Sequence, residues 1–394
     1  MWKLSESRRR FYSERAIPEE NFWKTLFRQS DRRDVLDDER FKEYLNWIPN
    51  RANCPELELA MERLIDIAPV AWKATMRNIF VAREFREDAN ASAWSFRSSG
   101  VVELNYGFTT AAMIYTTLFC CFYDAMVVAH NYLVDDADDL EVLEMLLDEA
   151  HRGAFEPILI AEQSRVAWAE HNRVYPAHPA LLELPYGRET SQYHSLVEAV
   201  EEFTIGHEVC HHMLGHTAES TRVSPIARVV EHWMERAGVR HYLEQLNPSQ
   251  VQEIQADVGA FLLLSGELGD GVTRSGVYRS IGGSIIAITA LAHISENWAS
   301  ADQADTHPDY ITRYDILYRV AKELGMNVSI GEVGDHPAGF LLQLSGFISM
   351  VLQTWLAHVD EEIKRPNFLN IFSKLMEKNV ELEEELRSLG LRPG

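Results

Sequence analysis

The spacing of apolar residues predicts helices along most of the chain, with one stretch that alternates as strands do. Residues 56–72, ELELAMERLIDIAPVAW, have apolar positions three or four apart, which is typical of an amphipathic helix. From Asn90 the pattern changes: NASAWSF and VVELNY flank the turn-forming residues RSSG, and their alternation predicts a β-hairpin. A long apolar helix follows. We therefore expect a mainly α fold with a small β-sheet, in the α+β class.

Shifts in composition divide the chain into three predicted regions. Residues 1–75 form an N-terminal helical region, residues 76–330 contain the hairpin and the motifs described below, and residues 331–394 form C-terminal helices. The middle region carries an acidic insert at about residues 135–190, which opens with DDADDLEVLEMLLDE. Because the insert lacks the glycine and ligand spacing of a calcium loop, we interpret its acidic run as a solvated helix face.

Two apolar runs are long enough to be considered as membrane spans. Tyr106–Tyr123 has 18 residues without a formal charge, at the lower limit for a spanning helix, but four threonines dilute it. Gly339–Val359 contains Gln343, Gln353 and His358. We interpret both runs as buried helices, so membrane association is the less favoured prediction.

The charge balance and the cysteines restrict the partners and the compartment. With 37 Lys and Arg against 60 Asp and Glu, the net charge is −23, and such a surface repels phosphate backbones and anionic lipid. We therefore expect no nucleic-acid partner. Four cysteines are too few for a disulfide framework, and the N-terminal residues show no apolar core of a secretory signal. Both observations predict a cytoplasmic protein, and neither bears on its oligomeric state.

The strongest chemical signal is HEVCH at residues 207–211, an HExxH motif. Two histidines four residues apart project from one face of a helix, about one turn apart, and can bind one zinc ion together. Glu208 is placed to take a proton from a water molecule on that ion. Val200, Phe203 and Leu214 continue the same stripe, so both histidines belong to a buried face, where an unpaired ring would be costly.

A catalytic zinc ion takes three protein ligands, so His207 and His211 need a partner from another element. The helix predicted in NPSQVQEIQADVGAFLLL supplies Glu253, with Asp257 one turn later. We predict that Glu253 is the third ligand and that Asp257 accepts the free ring N–H of a ligand histidine. An ordinary exposed carboxylate pair is the alternative. The start of this helix shows the capping-box pattern of Asn247, Pro248 and Gln250.

A third segment, DTHPDYITRYDIL, predicts a helix that opens at His307-Pro308 with Thr306 as its cap. A histidine near the ion could donate a hydrogen bond to the oxyanion of a tetrahedral intermediate. We therefore count His307, and Arg313 six residues later, as candidate catalytic residues. A helix-start histidine without a role is the alternative.

Taken together and in this order, the three segments resemble the gluzincin metallopeptidases of the HtpX, CAAX prenyl protease and Oma-like type. The segments 207–219, 253–257 and 307–313 match the HExxH-x4-H, ExxAD and HPx4R motifs of that family, within a resemblance over roughly residues 90–320. The resemblance implies a gluzincin-like zinc peptidase domain over residues 76–330, with one Zn²⁺ per chain and flanking helices. It also implies that the histidine of the HP motif can be an extra zinc ligand in a latent enzyme.

Three further positions have predicted roles outside the zinc cluster. His216 matches the extra histidine of the family, but on an ideal helix it would face away from His207, so we interpret it as structural. Cys210 is expected to turn away from the metal and pack in the core. The exposed hairpin edge at Ala93–Phe96 is expected to hold a substrate as an added strand.

These residues predict a zinc-dependent endopeptidase that acts on a protein or peptide substrate. Zinc on His207, His211 and Glu253 would hold the attacking water, and Glu208 would take its proton and pass it to the leaving amine. A non-catalytic scaffold that keeps zinc for stability is the first alternative. A membrane-embedded peptidase of the same family is the second.

Overall fold

The computed structural model describes residues 20–29, 33–47, 54–96, 99–135, 190–217, 226–269, 271–295, 297–298 and 306–327, with residue 13 and scattered positions between 340 and 388. Its elements, in chain order, are α1 Phe22–Gln29, α2 Arg33–Leu36, α3 Glu39–Leu45, α4 Pro55–Ile67, α5 Val70–Met76, β1 Ile79–Glu84, β2 Ala91–Phe96, β3 Ser99–Asn105, α6 Tyr106–Asp135, α7 Thr190–Leu214, α8 Ala227–Arg236, α9 Arg240–Leu243, α10 Pro248–Ser265, α11 Arg274–Ser295 and α12 Tyr310–Asn327. The fold is mainly helical with one small sheet, as predicted.

The three strands form a mixed sheet in the order β1-β3-β2. β2 and β3 are the arms of the predicted hairpin and pair antiparallel, with Phe96 opposite Ser99 beside the turn. β1 runs parallel to β3, with Ile79 opposite Gly100. The sequence pattern did not predict β1, because IFVARE is buried along almost its whole length and so lacks the alternation of a half-buried strand. Within the described residues β2 pairs with β3 alone, which makes it an edge strand.

Three long helices, α7, α10 and α11, pack against one another at the centre of the protein. α11 is buried on nearly all sides, as expected of a helix that is apolar all round. It is also the one helix among the described residues that is long and apolar enough to cross a membrane, but 78% of that window is buried inside the protein.

Of the two apolar runs considered as membrane spans, the structure describes the first and only a few residues of the second. Tyr106–Tyr123 forms the first part of α6, and its side chains Phe108, Tyr115 and Leu118 lie in the core, in agreement with a buried helix. Gly339–Val359 lies mostly outside the described residues. So do the acidic insert and most of the C-terminal region, and the three-region division of the chain therefore stays a prediction. The described segments between residues 20 and 76 are helical, as predicted.

Buried ion pairs connect the N-terminal helices to the sheet and to α7. The Arg83 side chain on β1 is fully buried, and its Nη2 lies 3.1 Å from Glu56 Oε1 and 3.2 Å from Glu201 Oε1. Arg63 of α4 and Arg279 of α11 both contact the buried carboxylate of Glu202. Because a buried carboxylate without a partner is costly, these pairs hold the first half of α7 in place.

Candidate metal centre and active site

The HExxH segment lies on α7 where this helix packs closely against α10. At the contact, a Cβ on Gly259 would stand 2.9 Å from Cys210 Sγ, closer than packed side chains tolerate. Glycine therefore lets the two helices approach each other here. Cys210 is fully buried against α10 and packs in the core, as predicted.

The start of α10 fixes which of its residues face α7. The Asn247 side chain accepts a hydrogen bond from Gln250 N, the Gln250 side chain accepts one from Asn247 N, and Pro248 occupies the first turn. This is the predicted capping box, and such a cap stabilises a helix by about 1 kcal/mol. With the start of the helix set, Glu253 and Asp257 lie one turn apart on the side that meets the histidines of α7.

The ligand atoms of His207, His211 and Glu253 converge on one point. His207 Nε2 lies 3.1 Å from His211 Nε2 and 3.2 Å from Glu253 Oε2, and His211 Nε2 lies 3.4 Å from Glu253 Oε1. The ligand atoms of a tetrahedral zinc ion, each at about 2.0–2.1 Å from the metal, stand about 3.3 Å apart. The two histidine nitrogens are close to this separation, and each has one of the two Glu253 oxygens at a similar distance. Glu253 Oε2 is buried and accepts no well-formed hydrogen bond from the described residues, which also suits a cation ligand. The three side chains can therefore hold a metal ion.

Asp257 lies behind His207, in the predicted position. Its Oδ1 is 2.9 Å from His207 Nδ1, and its carboxylate accepts two hydrogen bonds from Arg313, from Nε at 2.8 Å and from Nη2 at 2.7 Å. Burial alone would raise the pKa of Asp257, but Arg313 and His207 hold it well below its usual range. Because Asp257 holds the proton on His207 Nδ1, loss of the Nε2 proton to an incoming metal leaves the Nε2 lone pair directed at the ligand cluster. The sequence placed Arg313 among the catalytic residues, whereas its guanidinium binds Asp257.

Burial and neighbouring charges shift the pKa values of the three predicted ligands in different directions. Burial lowers the pKa of His207, but its close contacts with the carboxylates of Asp257 and Glu253 outweigh burial and raise the pKa to about 10, so a metal must displace the Nε2 proton of His207 at neutral pH. Burial and the neighbouring His207 lower the pKa of His211 to about 3. Burial would raise the pKa of Glu253, but its contacts with His207 lower it to about 2. At neutral pH His211 is therefore neutral and Glu253 is anionic, the forms in which both bind metals.

His216 closes the end of α7 and contacts His211, because the chain leaves the helical path after Leu214. α7 ends at Leu214, and Gly215 adopts a left-handed conformation with φ of +86°. Gly215 N then donates to His212 O and His216 N donates to His211 O, the two bonds of a Schellman motif. The chain turns back over the last turn of the helix and brings His216 Nδ1 to 3.0 Å from His211 Nδ1. A glycine directly after the last apolar position was the sequence signal for this turn.

Glu208 is almost buried beside the first ligand, His207, with 8% of its surface exposed. Burial raises the pKa of its carboxyl group to about 7, against the opposing effect of the His207 charge. A group with a pKa near neutrality can both accept and return a proton at physiological pH, which is what general acid–base catalysis requires.

His307 approaches the cluster from the segment before α12. Its Nε2 lies 3.2 Å from Glu253 Oε2, and 54% of its side chain is exposed. It is outside the group of three whose ligand atoms all lie within 4.8 Å of one another. α12 begins later than predicted, because the Asp309 side chain accepts a hydrogen bond from Thr312 N and caps the helix in place of Thr306.

The sheet lies beside the end of α7. His212 Nε2 is 3.1 Å from Val101 O on β3, and its Nδ1 is 2.9 Å from Thr217 Oγ1. α7 also packs against the edge strand β2, which contains the predicted substrate edge Ala93–Phe96. The hairpin edge thus packs against the same helix that carries the ligands His207 and His211.

Comparison of the chain with protein families, with curated proteins and with solved structures finds no match. The resemblance to gluzincin peptidases therefore stays a prediction based on three sequence motifs. Support for a function comes from the arrangement of the described side chains.

Replacing Asp257 with Asn is expected to weaken zinc binding about ten- to hundredfold, as losses of a ligand's hydrogen-bond partner do. The amide cannot match both charged contacts of Asp257, so the unfolding free energy should also fall, by up to about 3–5 kcal/mol. Chelator competition and denaturant unfolding measure the two effects. Asp315→Asn is the matched control, because Asp315 is also buried but contacts Tyr242 and Lys378 instead of the cluster. Equal zinc affinity in wild type and Asp257→Asn would contradict the role given to Asp257.

Proposed function

We propose that this protein is a zinc-dependent endopeptidase. The observation that carries the proposal is the presence of three converging ligand atoms next to a buried glutamate. A structural zinc site normally closes with four protein ligands, whereas a catalytic site uses three and leaves one position open. Among the described residues, the group of converging ligands has three members.

The ligand set itself supports zinc as the metal. His207, His211 and Glu253 would hold the ion, and two imidazoles with one carboxylate are a set used by catalytic zinc sites. When bound, zinc lowers the pKa of water and polarises a carbonyl oxygen. Asp257 and Arg313 orient His207 for this purpose, so we assign Arg313 a positioning role in place of the predicted catalytic one.

Glu208 is the proposed acid–base group. In peptide hydrolysis the oxygen of water bonds to the carbonyl carbon and the C–N bond breaks, so one proton must move from the water to the leaving amine. Glu208 accepts that proton during attack and donates it to the amine afterwards. Its burial supports this role, because a carboxyl group in water titrates far below neutral pH and returns a proton less readily.

The edge of β2 is the proposed substrate-binding surface. Within the described residues the sheet gives this strand one neighbour, β3, so an extended peptide would add to its other edge. The added strand would run alongside α7, on which the ligands lie. This placement supports an unfolded or loop segment of a protein as the substrate.

The test of the proposed function combines metal analysis with mapping of new peptide ends in a whole-protein digest. We expect about one zinc per chain, cleavage by the protein as purified, loss of cleavage after chelation and recovery on adding zinc. Zinc without any cleavage would favour the zinc-stabilised scaffold. Cleavage unaffected by complete metal removal would contradict the zinc mechanism. Recovery of the protein without detergent would argue against the membrane-embedded alternative.

Replacing His307 with Ala is expected to lower turnover about 10²–10³-fold, the usual cost of losing one hydrogen-bond donor to an oxyanion. The basis is its position: it is mostly exposed, near Glu253, and outside the group of three ligands. Turnover of a mapped peptide measures the effect, with His241→Ala, an exposed histidine on α9, as the control. A rise in activity would instead identify His307 as the brake of a latent enzyme. Unchanged activity would contradict both roles.

A further inference from the structure

We propose that His216 and Gln255 form a hydrogen-bond relay that fixes the tautomer and the orientation of His211 for metal binding. Both are positioning residues that act through His211. The inference rests on the proposed function, because it assigns a role to residues that serve the same metal site.

The direction of the relay follows from the end of the Gln255 amide that faces His216, which is its oxygen. Gln255 Oε1 can only accept a hydrogen bond, and it lies 3.2 Å from His216 Nε2, so this nitrogen carries the ring proton. His216 Nδ1 then has a free lone pair, 3.0 Å from His211 Nδ1. Two bare nitrogens would repel each other at that distance, so His211 Nδ1 carries a proton and donates it to His216.

The consequence appears at the other side of the His211 ring. A neutral imidazole has one N–H, and the relay places it on Nδ1. His211 Nε2 is therefore unprotonated. It lies 3.4 Å from Glu253 Oε1 and 3.1 Å from His207 Nε2, from which it accepts a hydrogen bond until a metal displaces the His207 proton. The lone pair needed by a metal thus faces the ligand cluster without any rearrangement.

Residues of α10 orient the two ligand histidines in different ways. His207 donates to the carboxylate of Asp257, which also accepts from Arg313, whereas His211 donates to a relay of neutral groups that ends on Gln255 of α10. A neutral relay orients the ring without adding another carboxylate to those of Asp257, Glu253 and Glu208 at this site. Asp257 and Gln255 of α10 therefore set the tautomers of His207 and His211.

The backbone at the end of α7 makes the relay possible. His216 reaches His211 only because Gly215 has φ of +86° and the Schellman bonds fold the chain back. A side chain at residue 215 would strain that conformation. The position of His216 is thus set by the end of the helix and not by helical spacing.

The test measures the zinc dissociation constant of the full-length protein by chelator competition. We expect His216→Leu to bind zinc about ten- to hundredfold more weakly, and Gln255→Leu about tenfold more weakly. His216→Gln should retain most of the affinity, because its amide oxygen can accept from His211 Nδ1. The double variant His216→Leu/Gln255→Leu should be no weaker than His216→Leu alone, since Gln255 acts through His216.

A matched control separates the relay from damage to the end of the helix. His212→Leu removes two hydrogen bonds beside the same turn, to Val101 O and Thr217 Oγ1, and should leave the zinc affinity unchanged. Zinc affinity lowered equally by His212→Leu and His216→Leu would overturn the relay. The relay would also be overturned if the fold-losses of zinc affinity in His216→Leu and Gln255→Leu multiplied in the double variant, because independent structural defects combine in that way.

The outcomes distinguish the relay from the proposed function. A wild-type protein that binds no zinc overturns the metal site and the relay with it. A wild-type protein that binds zinc, together with an unchanged dissociation constant in Gln255→Leu, overturns the relay alone. This second comparison holds even if His216→Leu does not fold, because Gln255 is only partly buried on the surface of α10.

Discussion

Replacing Glu208 with Gln is expected to lower kcat for peptide cleavage about 10²–10⁴-fold while the protein keeps one zinc per chain. The amide has the size of the carboxyl group but cannot accept a proton from water. Glu208 is outside the group of three ligands, so the metal should stay bound. The change also removes an ionisable group from a buried position, so folding should not suffer. Turnover of a mapped peptide, elemental analysis and thermal unfolding of the same sample measure the three expectations.

The matched control for this variant is Glu198→Gln. Glu198 lies earlier on α7, half of its side chain is exposed, and it pairs with Arg63 at the surface. Its turnover should equal that of wild type. Comparable turnover by Glu208→Gln and wild type would remove Glu208 from the mechanism, and loss of zinc would show that Glu208 is a ligand.

Replacing His207 or His211 with Ala is expected to release the metal and with it all cleavage. Two protein ligands rarely retain zinc, and His207 Nε2 and His211 Nε2 are two of the three atoms that converge. The loss of affinity should exceed the ten- to hundredfold expected when only a ligand's hydrogen-bond partner is removed. Elemental analysis after dialysis against a metal-free buffer measures it.

His194→Ala controls for the loss of a histidine from α7, because His194 is exposed and lies three turns or more before the cluster. It should keep its zinc. Equal zinc in wild type, His207→Ala and His211→Ala would show that the metal site lies elsewhere in the chain.

Local patterns predicted the features that depend on neighbours in the sequence. The hairpin follows from alternation, the capping box at Asn247 from residue types three apart, and the shared face of His207 and His211 from the helical repeat. Glu253 could be predicted as the third ligand because a catalytic zinc ion needs three protein ligands and only Cys, His, Asp and Glu side chains usually provide them. In each case the interactions that decide the structure lie within a few residues.

The remaining features depend on contacts between distant elements or on one backbone angle. The helical repeat placed His216 on the wrong side, because it assumed that α7 continues beyond Gly215. The role of Arg313 changed because its partner, Asp257, lies 56 residues away in the chain. No local pattern identifies Gln255, since its contact with His216 exists only once α7 and α10 have packed.

The buried ion pairs behind α7 have a consequence for how the chain can be divided. Arg63 and Glu56 belong to the first 75 residues, yet they neutralise Glu202 and Arg83 in the interior, and Glu202 lies little more than one turn before His207. Removing the first 75 residues would leave Glu202 with Arg279 alone and Arg83 without Glu56. The shortened chain would lose the support that holds the ligand-bearing helix in register with α10. The described N-terminal helices are therefore structural supports of the metal site.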